Sequence, residues 1–473
     1  MPGIKSIHFI GIGGIGMSAL AQLYAHKGYD ISGCDTTIDT QACDLVRNAG
    51  GRVYQGNGTE QCYSESPDIV VYSTAIAANS PEIAFFTKKN IPCIHRSELL
   101  AQLTREHKTI AVSGSHGKTT TSALIAHILW KSGFDPSAMI GGLVPSFGSN
   151  VLHGKSDIFV SEADESDRSF ERLSSYYAVV TNIDREHVDV YTTEEIAYQA
   201  FDNFVHAMLP DGTLFLNSAD SGIKKWVENS EKIEQKKIVW FGYKSCCRIP
   251  DIELVNARWD GLQWRFDLID HTTDKQYDKF SIRIFGEHML NNVVAACAVC
   301  LQVGIAVEQL RESLKSFETV DRRFTIRGSY RGVVIVDDYG HHPTEIAAAL
   351  ETVTKFAGAN HRVLVFFQPH RYTRTAYLWN DFVEVFAKLP ASICVAITDI
   401  YAASEESIEN INARNLVEEI KKKRNDGCCF YIPFAEFEQQ MHTCIDTMVV
   451  EKDVVLFLGA GKIDEYIKAL ELF

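Results

Sequence analysis

Short, β-branched apolar runs alternate along this chain with stretches whose apolar positions recur every three to four residues. That alternation predicts parallel sheets wrapped by helices, an α/β fold. A first series opens with a strand over Ser6–Ile10 and the helical run MSALAQLYA, and closes with SELLAQLTREH before a new strand at Thr109. Residues 213–285 change character: TLFLN, KIVWFG and ARWDGLQWRF, with an Asp260-Gly261 turn, read as antiparallel strands that extend or interrupt the second series. A third series carries VVIVDD, RVLVFF, ICVAIT and DVVLFLGA, each followed by a helix or loop. The expected division is 1–106, 107–321 and 322–473, which suits 473 residues at roughly 150 per domain.

A formal charge of −15 opposes any broad surface for nucleic acid or anionic lipid. The start, MPGIKSIHFIGIGG, has no long apolar leader region, and no later stretch reaches membrane-spanning length, so a cytoplasmic protein is expected. The 12 cysteines show no repeated ligand spacing. The one C-x-x-C pair, Cys297 and Cys300, sits in the apolar helical run VVAACAVCLQVGI and reads as buried free thiols in a reducing compartment.

The polar clusters fall at the carboxyl ends of apolar strands, where open α/β sheets bind ligands. The first, Gly11 to Gly16, follows IHFI and opens a helix, so its glycines and free N–H groups suit a diphosphate; Asp35 ends the next strand, where an acid often meets a ribose. This fingerprint alone fits a nicotinamide enzyme, another nucleotide pocket or a tight structural turn.

The second cluster, Gly114, Ser115, His116, Gly117, Lys118, Thr119 and Thr120, lies between strand TIAVS and helix TSALIAHILW. Lysine and consecutive backbone N–H groups neutralise phosphates, and Thr119 can offer its hydroxyl to Mg²⁺. The loop is shorter than a standard P-loop, because Val112 stands where the first glycine would be. Third, DIFVS ends in Glu162-Ala-Asp164-Glu165-Ser-Asp167, and a hard Mg²⁺ ion takes such oxygen ligands, with Glu162 the best candidate. His187, after AVVTNI, is a candidate for a second metal position. Fourth, the runs Asp337 to Pro343 and Gln368 to Thr375 combine acids, histidines and arginines. Arg371 and Arg374 can clamp a carboxylate bidentately, and Arg322-Arg323 at the domain junction can reach a γ-phosphate or act as linker charges.

Together these residues resemble the Mur ligase family. HFIGIGGIGMSALA, SGSHGKTTT, EADESDRSF, TNIDREHVDVY, DRRF, VDDYGHHPTE and QPHRYTRT occur in the family's order over essentially the whole chain. The resemblance implies a Rossmann-like N-terminal domain for a UDP-sugar, a central P-loop-type ATPase domain with a parallel sheet plus a smaller antiparallel one, and a C-terminal Rossmann-like domain for an amino acid.

It further implies ATP-dependent amide formation through an acyl phosphate, with UDP-N-acetylmuramate and L-alanine as substrates, neither nucleic acid nor membrane as partner, and a monomer or homodimer. By motif matching, Gly13, Gly14, Ile15, Gly16, Met17 and Ser18 cradle the UDP diphosphate, with Asp35, Ser73, His95 and Arg96 nearby. Lys118 and Thr119 hold ATP phosphates and Mg²⁺, or Mn²⁺ in its place, and Glu162 and His187 match the metal ligands. His288 and Asn292 match an adenine-side H-N-x-x-N motif in which Met289 replaces the first asparagine. Arg323 and Asp338 match residues shared across the family; Tyr339, His341, His370, Arg371 and Arg374 match the amino-acid side. Lys118, Arg323, Asp338 and His341 are thus the catalytic candidates. Relatives that add later residues use a carbamylated lysine to bridge metals, and no lysine lies between Lys155 and Lys224 here.

Overall fold

The computed structural model describes all residues except 1–2, 78, 187–189, 231, 246–247, 404, 425, 471 and 473. They form two compact units: one runs to Glu186 and includes Val190–Ile284 and Met289–Val320, the other comprises Phe285–His288 and Asp321 onward.

The first unit contains two sheets. One has five parallel strands in the order β3 (Arg52–Gln55), β2 (Asp30–Asp35), β1 (Ser6–Ile10), β4 (Ile69–Tyr72) and β5 (Cys93–His95). The chain moves outward from β1 in both directions, so the crevice at its carboxyl end is a topological switch point. There the Gly11 and Ile12 N–H groups donate to the Cys34 carbonyl at 2.8 and 2.9 Å. Gly11 takes φ +77°, a conformation that favours glycine, and helix Ile15–His26 starts four residues later.

The other sheet has ten strands: β15 (Lys275–Ile282), β14 (Trp264–Asp270), β13 (Ile252–Trp259), β12 (Lys237–Tyr243), β11 (Thr213–Asn217), β10 (Tyr177–Val180), β6 (Lys108–Ser113), β9 (Ile158–Glu162), β7 (Ser137–Val144) and β8 (Ser149–Leu152). Two expectations change here. TLFLN and KIVWFG, read as antiparallel from sequence, are β11 and β12, and both pair in parallel. Every residue of β11 is buried, as in a parallel strand covered on both faces. Antiparallel pairing on this side is confined to β13, β14 and β15, which prolong the same sheet, with alternating burial in β13. Helices Lys118–Lys131 and Met289–Val303 pack side by side against the sheet in one core, with Cys297 and Cys300 at 0% exposure. Every described cysteine is a free thiol.

The second unit is built on six strands: β16 (Thr325–Tyr330), β17 (Val333–Asp338), β21 (Val454–Leu458), β18 (Val363–Phe367), β19 (Ile393–Thr398) and β20 (Cys429–Ile432). Only β16 runs antiparallel. Among the described residues no helix is long and apolar enough to cross a membrane.

Candidate active site

The loop after β6 is held from beneath by the loop after β10. The His116 N–H donates to Asn182 Oδ1 at 2.8 Å, Thr181 Oγ1 donates to the His116 carbonyl at 2.7 Å, and Ser115 Oγ accepts from the Asp184 N–H at 2.9 Å. This close backbone approach requires glycine. A Cβ at Gly114 (φ +124°) would lie 2.2 Å from Thr181 Oγ1, and one at Gly117 (φ +82°) 2.4 Å from Asn292 Oδ1. Gly117 then starts helix Lys118–Lys131 with no side-chain cap, so the first-turn N–H groups, Thr119 and Thr120 among them, face outward as an anion site does.

Lys118 Nζ folds over this loop, donating to the carbonyls of Gly114 at 2.7 Å and Ser115 at 3.2 Å and to Glu165 Oε1 at 2.8 Å. Burial disfavours its charge, but the carboxylates of Glu165, Asp164, Glu186 and Glu162 outweigh burial and hold the ammonium well above the usual lysine range. Thr119 Oγ1 donates to the two oxygens of Glu162 at 3.1 and 3.0 Å, and Glu162 also accepts the Gly141 N–H at 2.9 Å. This carboxylate and hydroxyl are a hard-oxygen donor set, the kind Mg²⁺ prefers. His187 lies outside the described residues.

One cavity of about 320 Å³ joins the two sheets of this unit. Gly14, Ile15, Gly16, Met17, Ser73 and Arg96 line it from the five-stranded sheet, and Gly141, Glu162 and Asp164 from the ten-stranded one. Arg96 ties the two together, its Nη2 lying 3.1 Å from Asp167 and 4.0 Å from Asp164. Behind the cavity, Asn150 Nδ2 donates to the Ile15 carbonyl at 2.8 Å and Gln22 pairs with Asn150 at 3.1 Å. Gly14 provides no side-chain cap for helix Ile15–His26. The other candidates here are also tied into the framework: Asp35 accepts the N–H groups of Gly13 at 2.9 Å and Thr37 at 3.0 Å, the buried Ser18 donates to Ile15, and His95 caps helix Arg96–Glu106. Burial lowers the His95 pKa.

The second unit carries its own polar cluster at the ends of β17 and β18. Asp338 accepts N–H groups of Gly340 at 2.7 Å and Phe324 at 2.8 Å, and burial pushes its carboxyl up to about 6 despite the Arg323 charge. Tyr339 lies against both Arg322 and Arg323, each guanidinium 5.2 Å from its ring. Glu345 reaches Arg323 at 3.7 Å and the His341 ring at 3.4 Å. The rings of His341 and His370 are 5.8 Å apart, and Arg374 Nη1 is 3.2 Å from His370 Nδ1. Burial, then His341, Arg374 and Arg371, pull the His370 pKa down to about 3. Arg371 (φ +72°) does not form a matched fork with Arg374: it is ion-paired to Glu405, which also accepts the Thr373 N–H at 3.0 Å. Glu405 lies 34 residues on and carried no sequence signal.

Two further candidates, His288 and Asn292, fall in different units. Asn292 packs on Gly117 and donates to the Met289 sulfur at 3.3 Å, whereas His288 sits against Gly286. Sequence reading passed over Asn182 and Asp184 as loop supports, although their position after β10 follows the same strand-end rule.

Three family models match consecutive stretches: "Mur ligase family, catalytic domain" over residues 6–108, "Mur ligase middle domain" over 112–300 and "Mur ligase, glutamate ligase domain" over 322–461. A UDP-N-acetylmuramate–L-alanine ligase of Aquifex aeolicus is 36% identical over 476 residues, 99% of this chain and 98% of that protein. The crystal structure of a UDP-N-acetylmuramate-alanine ligase, MurC, from Thermotoga maritima superposes with a TM-score of 0.80 at 25% identity, covering 98% of this chain and 97% of the other. A murein peptide ligase from Psychrobacter arcticus shares the fold, with a TM-score of 0.71 at 20% identity over 98% of each chain.

Proposed function

We propose that this chain, which belongs to the Mur ligase family, uses ATP to join L-alanine to the carboxylate of UDP-N-acetylmuramate, yielding the amide, ADP and phosphate in peptidoglycan precursor synthesis. The supporting observation is the shared cavity: Gly14 to Met17, suited to a diphosphate, and Glu162, beside the Lys118 loop, line one space.

A carboxylate resists attack by an amine because it is anionic and lacks a good leaving group. Phosphorylation by ATP removes both obstacles. Bringing the carboxylate to a triphosphate sets like charges together, at a cost of about 4 kcal/mol per pair in contact at intermediate dielectric. Lys118, held permanently cationic, offsets that cost at the terminal phosphate. The uncapped first turn at Gly117 to Thr120 would take the other phosphate oxygens, and Asn292, packed on Gly117, would lie on the adenine side as the family motif implies.

Thr119 and Glu162 would hold Mg²⁺, whose role when bound is to neutralise phosphate charge. Gly13 to Ser18 would take the UDP diphosphate, with Ser73, His95 and Arg96 on the sugar side. Domains at 1–106, 107–321 and 322–473 would thus hold sugar nucleotide, ATP and amino acid in turn.

The second step is attack by the alanine amine on the acyl phosphate, and the tetrahedral intermediate collapses with loss of phosphate. Arg374 would hold alanine's carboxylate, with Arg371 fixed by Glu405 behind it. His370 is neutral at working pH, so it can accept a hydrogen bond from the ammonium or amine but adds no charge. His341, oriented by Glu345, is the candidate for the departing proton, and Arg323 for the phosphate charge.

Phosphate release tests the assignment. Release is expected only when ATP, UDP-N-acetylmuramate and alanine are all present, with mass spectrometry identifying the alanyl product. Equal release with a tripeptide in place of alanine would instead favour a recycling ligase, and a change in NAD(P)H fluorescence on titration would favour a dehydrogenase.

A further inference from the structure

The five-stranded sheet encloses a second polar cluster, away from the cavity. His8, Cys34 and Cys62 are 0% exposed and Glu82 is 1% exposed, and one donor atom from each lies within 4.8 Å of the others. The four residues come from β1, β2, helix Glu60–Ser64 and helix Pro81–Lys88, so no local spacing announces them. Around them the core is apolar, with Ile10, Val70 and Phe86, the last 5.3 Å from the His8 ring. His8 Nδ1 lies 2.8 Å from Ser32 Oγ, which fixes the ring and turns Nε2 toward Glu82 Oε1 at 3.2 Å. Cys34 Sγ is 3.0 Å from the same oxygen, and the other Glu82 oxygen accepts the Gly58 N–H at 3.0 Å.

We propose that His8, Cys34, Cys62 and Glu82 form a structural zinc site. Two soft sulfurs and a borderline imidazole nitrogen outnumber the one hard carboxylate oxygen, a mixed set that suits zinc and not the hard ions Mg²⁺ or Ca²⁺. Tetrahedral ligands at zinc distances stand about 3.3–3.8 Å apart, so the 3.2 and 3.0 Å separations need shifts of only tenths of an ångström. The bond from His8 to Ser32 is the outer contact that zinc-bound histidines usually make, leaving the opposite nitrogen for the metal.

Without a metal the cluster is a buried imidazole–carboxylate contact with two thiols, polar groups that add little net stability over apolar side chains. With one, it fastens the five-residue helix Glu60–Ser64, too short to hold by itself, to the sheet. It also fixes Cys34, whose carbonyl receives the N–H groups of Gly11 and Ile12, so the metal braces the glycine loop. None of this depends on which reaction the chain catalyses.

The test uses the full-length chain, expressed with zinc or with cobalt and purified without chelator. Elemental analysis should give about one equivalent of zinc. The cobalt form should show tetrahedral d–d absorption and a thiolate-to-cobalt charge-transfer band, which an oxygen site at Glu162 cannot produce. Cys62→Ser should weaken zinc binding at least ~10-fold and remove part of that band, and chelation should lower the melting temperature of the wild type but not of Cys34→Ser/Cys62→Ser. If the double variant does not fold, Glu82→Gln, which keeps both thiols, should still weaken zinc and alter the cobalt spectrum. Absence of stoichiometric zinc, a cobalt spectrum with no thiolate band, or a Cys34–Cys62 disulfide found by peptide mass spectrometry would each overturn the proposal. So would a thiolate band that survives loss of both cysteines.

Discussion

Lys118 Nζ lies 2.8 Å from Glu165 Oε1, on a loop whose own carbonyls take its remaining protons. The lysine is therefore charged and positioned before any nucleotide arrives, and a phosphate must compete with Glu165 for it. Preorganised charge of this kind is worth most where charge develops in the transition state.

Lys118→Ala should accordingly lose at least ~100-fold in turnover while UDP-N-acetylmuramate still binds with unchanged affinity. Calorimetry with the sugar nucleotide checks the second half; parallel loss of sugar-nucleotide affinity would mean that Lys118 organises the whole cavity and not the phosphate alone.

Asp338 carries a pH signature. Its carboxyl is raised to about 6 in the folded chain, against about 4 in an unfolded one, so between those values the folded state holds a proton that the unfolded state has lost. Its contribution to stability is therefore greatest below about pH 4 and declines as pH rises through about 6. Relative to Asp338→Asn, which has no such proton, the wild type should lose unfolding free energy across that window and run parallel above it. Urea denaturation at stepped pH measures the difference, and curves that stay parallel throughout would place the carboxyl in the ordinary range.

Arg374→Ala separates the two chemical steps. The amino acid's KM should rise by ~10-fold or more, the loss expected for a charge-assisted carboxylate contact, while borohydride still traps an acyl phosphate formed from ATP and UDP-N-acetylmuramate. Failure of trapping in this variant would assign the residue to phosphorylation instead.

Much of this site was legible in the sequence because its parts are local. Gly114 to Thr120 follow an apolar strand directly and Glu162 ends one, and strand ends are where such sheets bind ligands. Strand direction was not legible: TLFLN has a short apolar centre, and such a run carries no sign of parallel or antiparallel pairing. Partners far apart in the chain were equally hidden. Glu405 reaches Arg371 from 34 residues away, and Cys34 meets Glu82 across 48. The cavity that joins Gly16 to Glu162 required two sheets to come together, a fact no single motif encodes.

The passage of a carboxylate oxygen to phosphate tests the central claim most directly. UDP-N-acetylmuramate labelled with ¹⁸O in its carboxylate is incubated with ATP, Mg²⁺ and alanine, and the released phosphate is examined by ³¹P NMR. If the sugar acid is phosphorylated beside Lys118 and then attacked by the amine, each phosphate released carries one oxygen from the carboxylate. Unlabelled phosphate, formed alongside the amide, would contradict an acyl-phosphate route.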